Sequence, residues 1–242
     1  MKYQKTLVNI MAVITFASGA ILGMTLFGLA AWGDLEAFLF DTSFTQEGRM
    51  KLSCPVMISD QENGTVSLTL KNTTEKPIVN RVKAHFSQGY LTLMEEYFEK
   101  VQLEPREKTK LEWQVRPTNA AYGELLVLAK VRTQPTYPLV DREGSCGILV
   151  VDLFNLTGTQ ITSAAFVLST FFMAASAVVW SVLNKPLRGR NLNIFHAMLT
   201  LGVLVIAGII TGFLGLWLLS AVILVVAFIV ILSTAASMIM HS

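Results

Sequence analysis

Three stretches of this 242-residue chain carry no Asp, Glu, Lys or Arg: residues 6–32, 159–183 and 192–240. Apolar runs of about 20 residues or more leave few folds open, because they have no polar face to turn toward water and read as helices that cross a bilayer. The first run, about 40 Å long as a helix, exceeds the apolar core of about 7–15 residues expected of a secretory signal. It reads as an uncleaved anchor, with a signal cut near "GLAAW" as the alternative. The second ends at "NKPLRGRN", where Pro186 does not suit a helix interior. The third is too long for one crossing and divides at "GFLGLW", where Gly212 and Gly215 can supply a tight turn. The expected spans are therefore 6–32, 160–183, 194–213 and 216–238.

The charges beside these runs set an orientation. Lys2 and Lys5 precede the first, and Lys185, Arg188 and Arg190 lie between the second and third, with no acid near them. Basic residues at span ends favour the cytoplasm. Both placements agree with four crossings, both termini cytoplasmic and segment 34–158 extracytoplasmic, in a plasma (inner) membrane. Trp32, Trp180 and Trp217 fall near span ends, as interfacial aromatics do.

The intervening segment has a different character. All 17 acidic residues and 14 of the 19 basic ones lie between Asp34 and Asp152, a net of −3 (14 − 17). That balance gives no reason to expect nucleic-acid binding. Alternation dominates: "TVSLTLKN" sets Val66, Leu68 and Leu70 on one face, and "RVKAHF" sets Val82, Ala84 and Phe86 inward with Arg81, Lys83 and His85 outward. "TKLEWQV" buries Leu111, Trp113 and Val115, while "ELLVLAKVR" buries Leu125, Val127, Ala129 and Val131 and exposes Lys130 and Arg132. Such alternation, punctuated by "QENGT", "NTTEKP" and "LEPREKT", predicts half-buried strands of an antiparallel sandwich.

The stretches "VSLTLKNTTEKPIVN" and "VQLEPREKTKLEWQV" resemble the immunoglobulin-like modules typified by CARDB and related adhesion domains, over about residues 65–131. That resemblance implies adhesion, spacing or subunit contact, and brings no catalytic residues with it. It does not extend to the spans.

Cys54 opens the first predicted strand and Cys146 the last, both on the outer side, where disulfides persist. A single Cys54–Cys146 bridge is the economical reading, with two buried thiols as the alternative. The histidines His85, His196 and His241 are too scattered to suggest a metal centre. Glu95 and Glu96 are sequence neighbours, so on a strand they face opposite ways and form no dyad. Neither a nucleophile, phosphate-loop or dinucleotide motif nor a span-buried charge for an ion path is present. No catalytic residue, cofactor or metal is therefore expected.

Gly19 and Gly23, Gly208 and Gly212, and the run Ala174, Ala175 and Ala177 offer small-residue faces for helix packing, internal or with a partner. "GDLEAFLFD" spaces Leu35, Phe38 and Leu39 as a short interfacial helix or a linker. The loop around Tyr137 is a recognition candidate. Asn63, Asn72 and Asn155 begin glycosylation sequons; in a eukaryotic host Asn63 and Asn72 would be acceptors, while Asn155 lies too near the membrane.

The sequence thus predicts an α-helical membrane protein of four transmembrane helices with an inserted all-β immunoglobulin-like sandwich. Residues 1–33 form the N-terminal anchor, 34–50 a linker or interfacial helix, 51–158 the outer domain and 159–242 a three-helix membrane region. The expected role is non-enzymatic: an accessory or scaffold subunit of a membrane complex, or an envelope adhesion module. Its expected partners are membrane lipids and other membrane subunits or further copies of the chain. The alternative is an accessory component of a transporter or a ligand-binding membrane sensor.

Overall fold

The computed structural model describes residues 2–41, 48–136, 139–153 and 155–240. The chain forms two compact units, Met1–Ala31 with Thr162–Ser242, and Trp32–Ile161.

The first unit is helical. Helices α1 (Lys2–Leu39), α2 (Gly158–Leu183), α3 (Arg190–Phe213) and α4 (Trp217–Met240) are each long and apolar enough to cross a membrane. Gly215, at φ +71°, makes the turn between α3 and α4. Gly212 instead lies inside α3, against Phe27 and Ala30. Glycine faces bring the helices together. A Cβ at Gly19 would sit 2.9 Å from Cβ of Phe172, one at Gly208 would sit 2.8 Å from the Phe27 ring, and one at Gly23 would strike Val205. The four packing glycines are therefore occupied inside the bundle, which removes them as a partner face. Ala174 is exposed and Ala175 and Ala177 are only half-buried; α2 packs instead through Ser169, Met173, Ser176 and Trp180. The spacing of these four, by four, three and four residues, is that of one helix face.

The buried polar side chains described in this unit are neutral, and all but Ser176 are hydrogen-bonded. Asn9 and Asn184 exchange two side-chain hydrogen bonds (3.2 and 3.0 Å), and Ser169 Oγ donates to the Gly19 carbonyl at 2.8 Å. Large apolar side chains such as Val167, Phe171, Val203 and Leu232 are exposed around the outside.

The second unit holds eight strands among the described residues: β1 (Leu52–Ser53), β2 (Met57–Ile58), β3 (Gly64–Lys71), β4 (Ile78–Gln88), β5 (Tyr90–Leu103), β6 (Lys108–Val115), β7 (Leu126–Pro135) and β8 (Arg142–Val150). They form a three-stranded sheet, β1-β3-β6, and a five-stranded one, β2-β8-β7-β4-β5. Val66, Leu68, Trp113 and Val115 from the first share one core with Val82, Phe86, Val127 and Ile148 from the second. The expected alternation is met on this inner face except at Leu111, which is half-buried, and Leu125, which precedes β7 and is exposed. The expectation of a wholly antiparallel domain is not: β2 pairs with β8 in parallel, Met57 opposite Leu149.

Part of the other face of the five-stranded sheet, on β7 and β8, is also buried. Leu126, Leu128 and Leu149 cluster there with Ala37, Phe40, Met57 and Ile161. Helix α1 runs unbroken to Leu39, so residues 34–39 form no separate interfacial helix or linker. Asp34 and Ala37 on the helix, and Phe40 just after it, are buried in this unit, while Leu39 is exposed and Leu35 and Phe38 are half-buried. The anticipated apolar stripe points the wrong way, because the sheet reaches the helix through small residues.

Candidate functional site

The concentration of buried polar chemistry in the Trp32–Ile161 unit lies where residues 32–41 meet the outer face of β7 and β8. The approach begins at two glycines. A Cβ on Gly147 would come within 2.6 Å of Gly33 Cα and closer still to the Gly33 carbonyl, so only glycine lets strand β8 touch the helix backbone there. One residue on, Asp34 Oδ1 accepts the Gly147 N–H at 3.2 Å.

The helix terminus is closed by Lys130. Only 3% exposed, its Nζ donates to the carbonyls of Phe38 (3.1 Å), Phe40 (2.9 Å) and Asp41 (3.0 Å). The last carbonyls of a helix lack intrahelical partners and carry partial negative charge, and a buried ammonium answers both. Beside it on the adjoining strand, His85 stands opposite Lys130 in register. His85 Nδ1 lies 2.6 Å from Asp41 Oδ2, and its Nε2 lies 4.0 Å from Glu96 Oε1. Lys130 and His85 were expected to point to solvent. They do lie on the outward face of their strands, but that face is covered.

At the exposed margin, the Tyr122 hydroxyl donates to Glu36 Oε2 at 2.6 Å and its ring lies 6.1 Å from that of Trp32. The Glu36 carboxylate accepting its proton pushes the Tyr122 phenol up to about 12. Tyr97 is raised in the same way by Glu95, which accepts its hydroxyl at 2.6 Å. Glu95 also accepts from Asn119, whereas Glu96 faces His85, so the two glutamates point apart. The hydroxyl of Ser87, two residues beyond His85, donates to the Asn119 carbonyl and accepts the Leu128 N–H. In this region carboxylates, an imidazole and an ammonium join residues 34–41 to the sheet.

Cys54 and Cys146 are bonded, joining residues 92 apart in sequence. Cys146 sits immediately before Gly147, so the bridge and the helix contact share one stretch of β8. Lys5, Lys185, Arg188 and Arg190 are all exposed; Lys2 opens α1. Asn63 is exposed, but Asn72 corrects the expectation of a second acceptor. It is fully buried, and its amide nitrogen donates to the carbonyls of Lys76, Leu103 and Glu104. A glycan on that nitrogen would require the turn to open. His196 is exposed on α3. His241 and the Tyr137 candidate lie outside the described residues. No group of three or more metal-ligating side chains occurs among the described residues.

Sequence reasoning missed the Asp34–Gly147, Lys130 and Asp41–His85 contacts. The available signals were a lysine within the otherwise apolar "LLVLAKV" and three acids packed into "GDLEAFLFD".

No family model matches the chain, and no curated protein matches it. Solved structures similar to it include a CARDB domain from Pyrococcus furiosus, an immunoglobulin-like fold crystallised with two metal ions. That match is 14% identical and covers 45% of this chain and 93% of that one, at a TM-score of 0.33. A cycloisomaltooligosaccharide glucanotransferase from Paenibacillus sp. matches at 10% identity, over 46% of this chain but 15% of its own length, at a TM-score of 0.35. The alkylpurine DNA glycosylase AlkC of Pseudomonas fluorescens matches at 15% identity, over 41% of this chain and 29% of its own, at a TM-score of 0.31. Likeness this partial assigns no activity.

Proposed function

We propose that this chain is a non-enzymatic, four-span membrane protein that presents an immunoglobulin-like domain on the outer side of a plasma (inner) membrane, as an accessory or scaffold subunit contacting other membrane proteins. The four apolar helices support the membrane part. Lys2 and Lys5 before the first, and Lys185, Arg188 and Arg190 between the second and third, support cytoplasmic termini and an extracytoplasmic domain. The Cys54–Cys146 bond suits that compartment.

The observation that carries the contact role is the attachment of residues 32–41. A tether needs only a flexible linker, yet here Lys130, His85, Asp34 and Gly147 all serve to fix one segment on the sheet. Fixing a surface in advance lowers the ordering cost of binding, so this construction suits presentation to a partner.

The test is crosslinking in the native membrane, followed by mild detergent extraction and identification of the linked chains. A stable partner is expected, and a lone uncrosslinked monomer overturns the reading. Orientation is checked separately, with Asn63→Cys and Asn193→Cys labelled by an impermeant thiol reagent on intact cells. Only the first should react.

A further inference from the structure

One end of the Trp32–Ile161 unit carries a single sign of charge. Val151 donates its N–H to the Ile58 carbonyl at 3.0 Å, and Gly158 donates to Glu62 Oε2 at 2.7 Å. Val150 donates to the Leu125 carbonyl at 2.9 Å, and the Tyr122 hydroxyl reaches Glu36. These bonds gather segments 32–40, 55–64, 120–129 and 150–161. Together they hold six acids (Asp34, Glu36, Asp60, Glu62, Glu124 and Asp152) and no Lys, Arg or His. Trp32 closes the first uncharged run and Gly158 opens α2, so this is the end that leads into the expected spans.

An aromatic wedge lies within it. Glu36 Oε1 accepts the Trp32 indole N–H at 3.1 Å and its Oε2 accepts the Tyr122 hydroxyl at 2.6 Å, so one carboxylate holds both rings. The ring centroids stand 6.1 Å apart and the planes open at 45°. Trp32 is half-buried, while Tyr122, Leu125 and Leu153 are exposed. Among the described residues no cation pairs with Glu36 or Glu124. The turn that presents Tyr122 is strained: Tyr122, Gly123 and Glu124 follow one another at φ +55°, +68° and +71°. Glycine alone enters that region readily, and strain of this kind gathers at ligand sites. Ala121 keeps the turn closed, donating to the Leu126 carbonyl at 2.8 Å and accepting from the Leu125 N–H at 3.1 Å.

Two ring faces with an uncompensated carboxylate are the recognition set for an alkylammonium. The rings attract a cation held within about 6 Å of their centroids, and the carboxylate supplies the opposite charge. An anionic headgroup would meet only repulsion here. The apolar surroundings choose between a lipid and a protein segment in water. Exposed Leu125 and Leu153 suit the boundary between headgroups and acyl chains, where the amphipathic rings of Trp and Tyr also gather.

We propose that this end of the domain binds the ammonium headgroup of a zwitterionic phospholipid of the outer leaflet. The ammonium lies on the Trp32 and Tyr122 rings against Glu36, and Leu125 and Leu153 enter the boundary beside it. The inference rests on the membrane placement proposed above and adds a lipid class to it.

The probe is a phosphatidylcholine whose headgroup nitroxide is carried on the quaternary ammonium. It is added as a minor component to phosphatidylglycerol nanodiscs holding the full-length chain. The control lipid has the same nitroxide joined directly to the phosphate, without the ammonium. Paramagnetic broadening of amide resonances is read at residues 121–125, with β6 as the reference within the same unit. The ammonium lipid should broaden residues 121–125 saturably and about fivefold more than the control. Unlabelled phosphatidylethanolamine or phosphatidylcholine should reverse it. Glu36→Gln and Tyr122→Leu should each raise the half-saturating lipid fraction about fivefold, whereas Tyr122→Phe keeps the ring and most of the binding. Unchanged β6 resonances and the retained Cys54–Cys146 bond report folding. Equal broadening by both lipids would show nearness to the bilayer alone and overturn the proposal, as would no broadening at all. Broadening indifferent to Glu36→Gln and Tyr122→Leu overturns it too. A photocrosslinker at Tyr122 that captures a protein in the native membrane would assign the wedge to that protein instead. Acyl-chain nitroxides separate this inference from the reading it rests on. If they broaden α3 while the headgroup comparison fails, the membrane placement stands without the lipid site; if α3 stays sharp, the membrane placement itself falls.

Discussion

Both units bury neutral polar groups, but among the described residues only the sheet unit buries ionisable ones. The helical unit pairs neutral groups, Asn9 with Asn184 and Ser169 with the Gly19 carbonyl, and closes its interfaces on glycine. The Trp32–Ile161 unit buries ionisable ones: Lys130, His85 and Asp34, and the Asp41 carboxylate against His85. A neutral amide left unpaired costs about 1–3 kcal/mol, whereas breaking a buried charged contact costs about 3–5 kcal/mol. The sheet unit is therefore the more sensitive to single polar changes, and the helical unit to changes of volume. Five substitutions separate these behaviours.

The largest effect belongs to the covalent contact. Cys146→Ser opens a loop whose ends lie 92 residues apart. For a loop of that length the chain-entropy model gives about 4–5 kcal/mol. Denaturant unfolding monitored through Trp113, which is buried in the shared core, should show the loss. A midpoint unchanged from the oxidised protein would mean the bridge adds nothing to this unit.

Lys130→Met comes next. It keeps the aliphatic stem and removes the donors to Phe38, Phe40 and Asp41. The expected loss is about 3 kcal/mol, seen as faster amide exchange in β7 and at residues 36–41. A lysine merely snorkelling to solvent would tolerate this change without effect. Gly208→Leu tests the other unit, since even a Cβ there would sit 2.8 Å from the Phe27 ring. Overpacking of about 1–3 kcal/mol should appear in α1 and α3 and leave β7 exchange unchanged.

The same contrast explains what could be read from sequence. Helix positions follow from the absence of charge, which is a local property, and α2, α3 and α4 begin and end within a few residues of the expected spans. The inner faces of β3, β6 and β7 follow from alternation, also local. The outer face of the five-stranded sheet does not. Its burial depends on residues 33–40 arriving from far away in sequence, and a helix that packs through Gly33 and Ala37 leaves no apolar stripe to detect. Lys130 and His85 consequently looked like solvent-facing residues of half-buried strands. Asn72 failed for a related reason. A sequon marks a residue type and spacing, whereas the three carbonyls that take its amide come from residues 76, 103 and 104. The parallel pairing of β2 with β8 joins a two-residue strand to one about 90 positions away, and no pattern in "MI" could announce it.

The smallest effect gives the sharpest reading of the helical unit. Asn9 lies in the first turns of α1 and Asn184 just beyond the end of α2, and each amide donates to the other's carbonyl oxygen. Asn184 also donates to the Trp180 carbonyl at 3.0 Å, so replacing it removes two interactions while replacing Asn9 removes only the shared pair. The single substitution Asn184→Leu should therefore cost more than Asn9→Leu. The double-mutant cycle isolates the reciprocal pair, which should couple by about 0.6–1.7 kcal/mol, the range measured for hydrogen bonds between membrane helices. Reversible unfolding in mixed micelles, followed through Trp180, measures all three variants. A coupling of zero would mean that water already satisfies both amides at that end of the bundle. A value above about 3 kcal/mol would place the pair in the class of the buried charges of the sheet unit and dissolve the distinction between the two units.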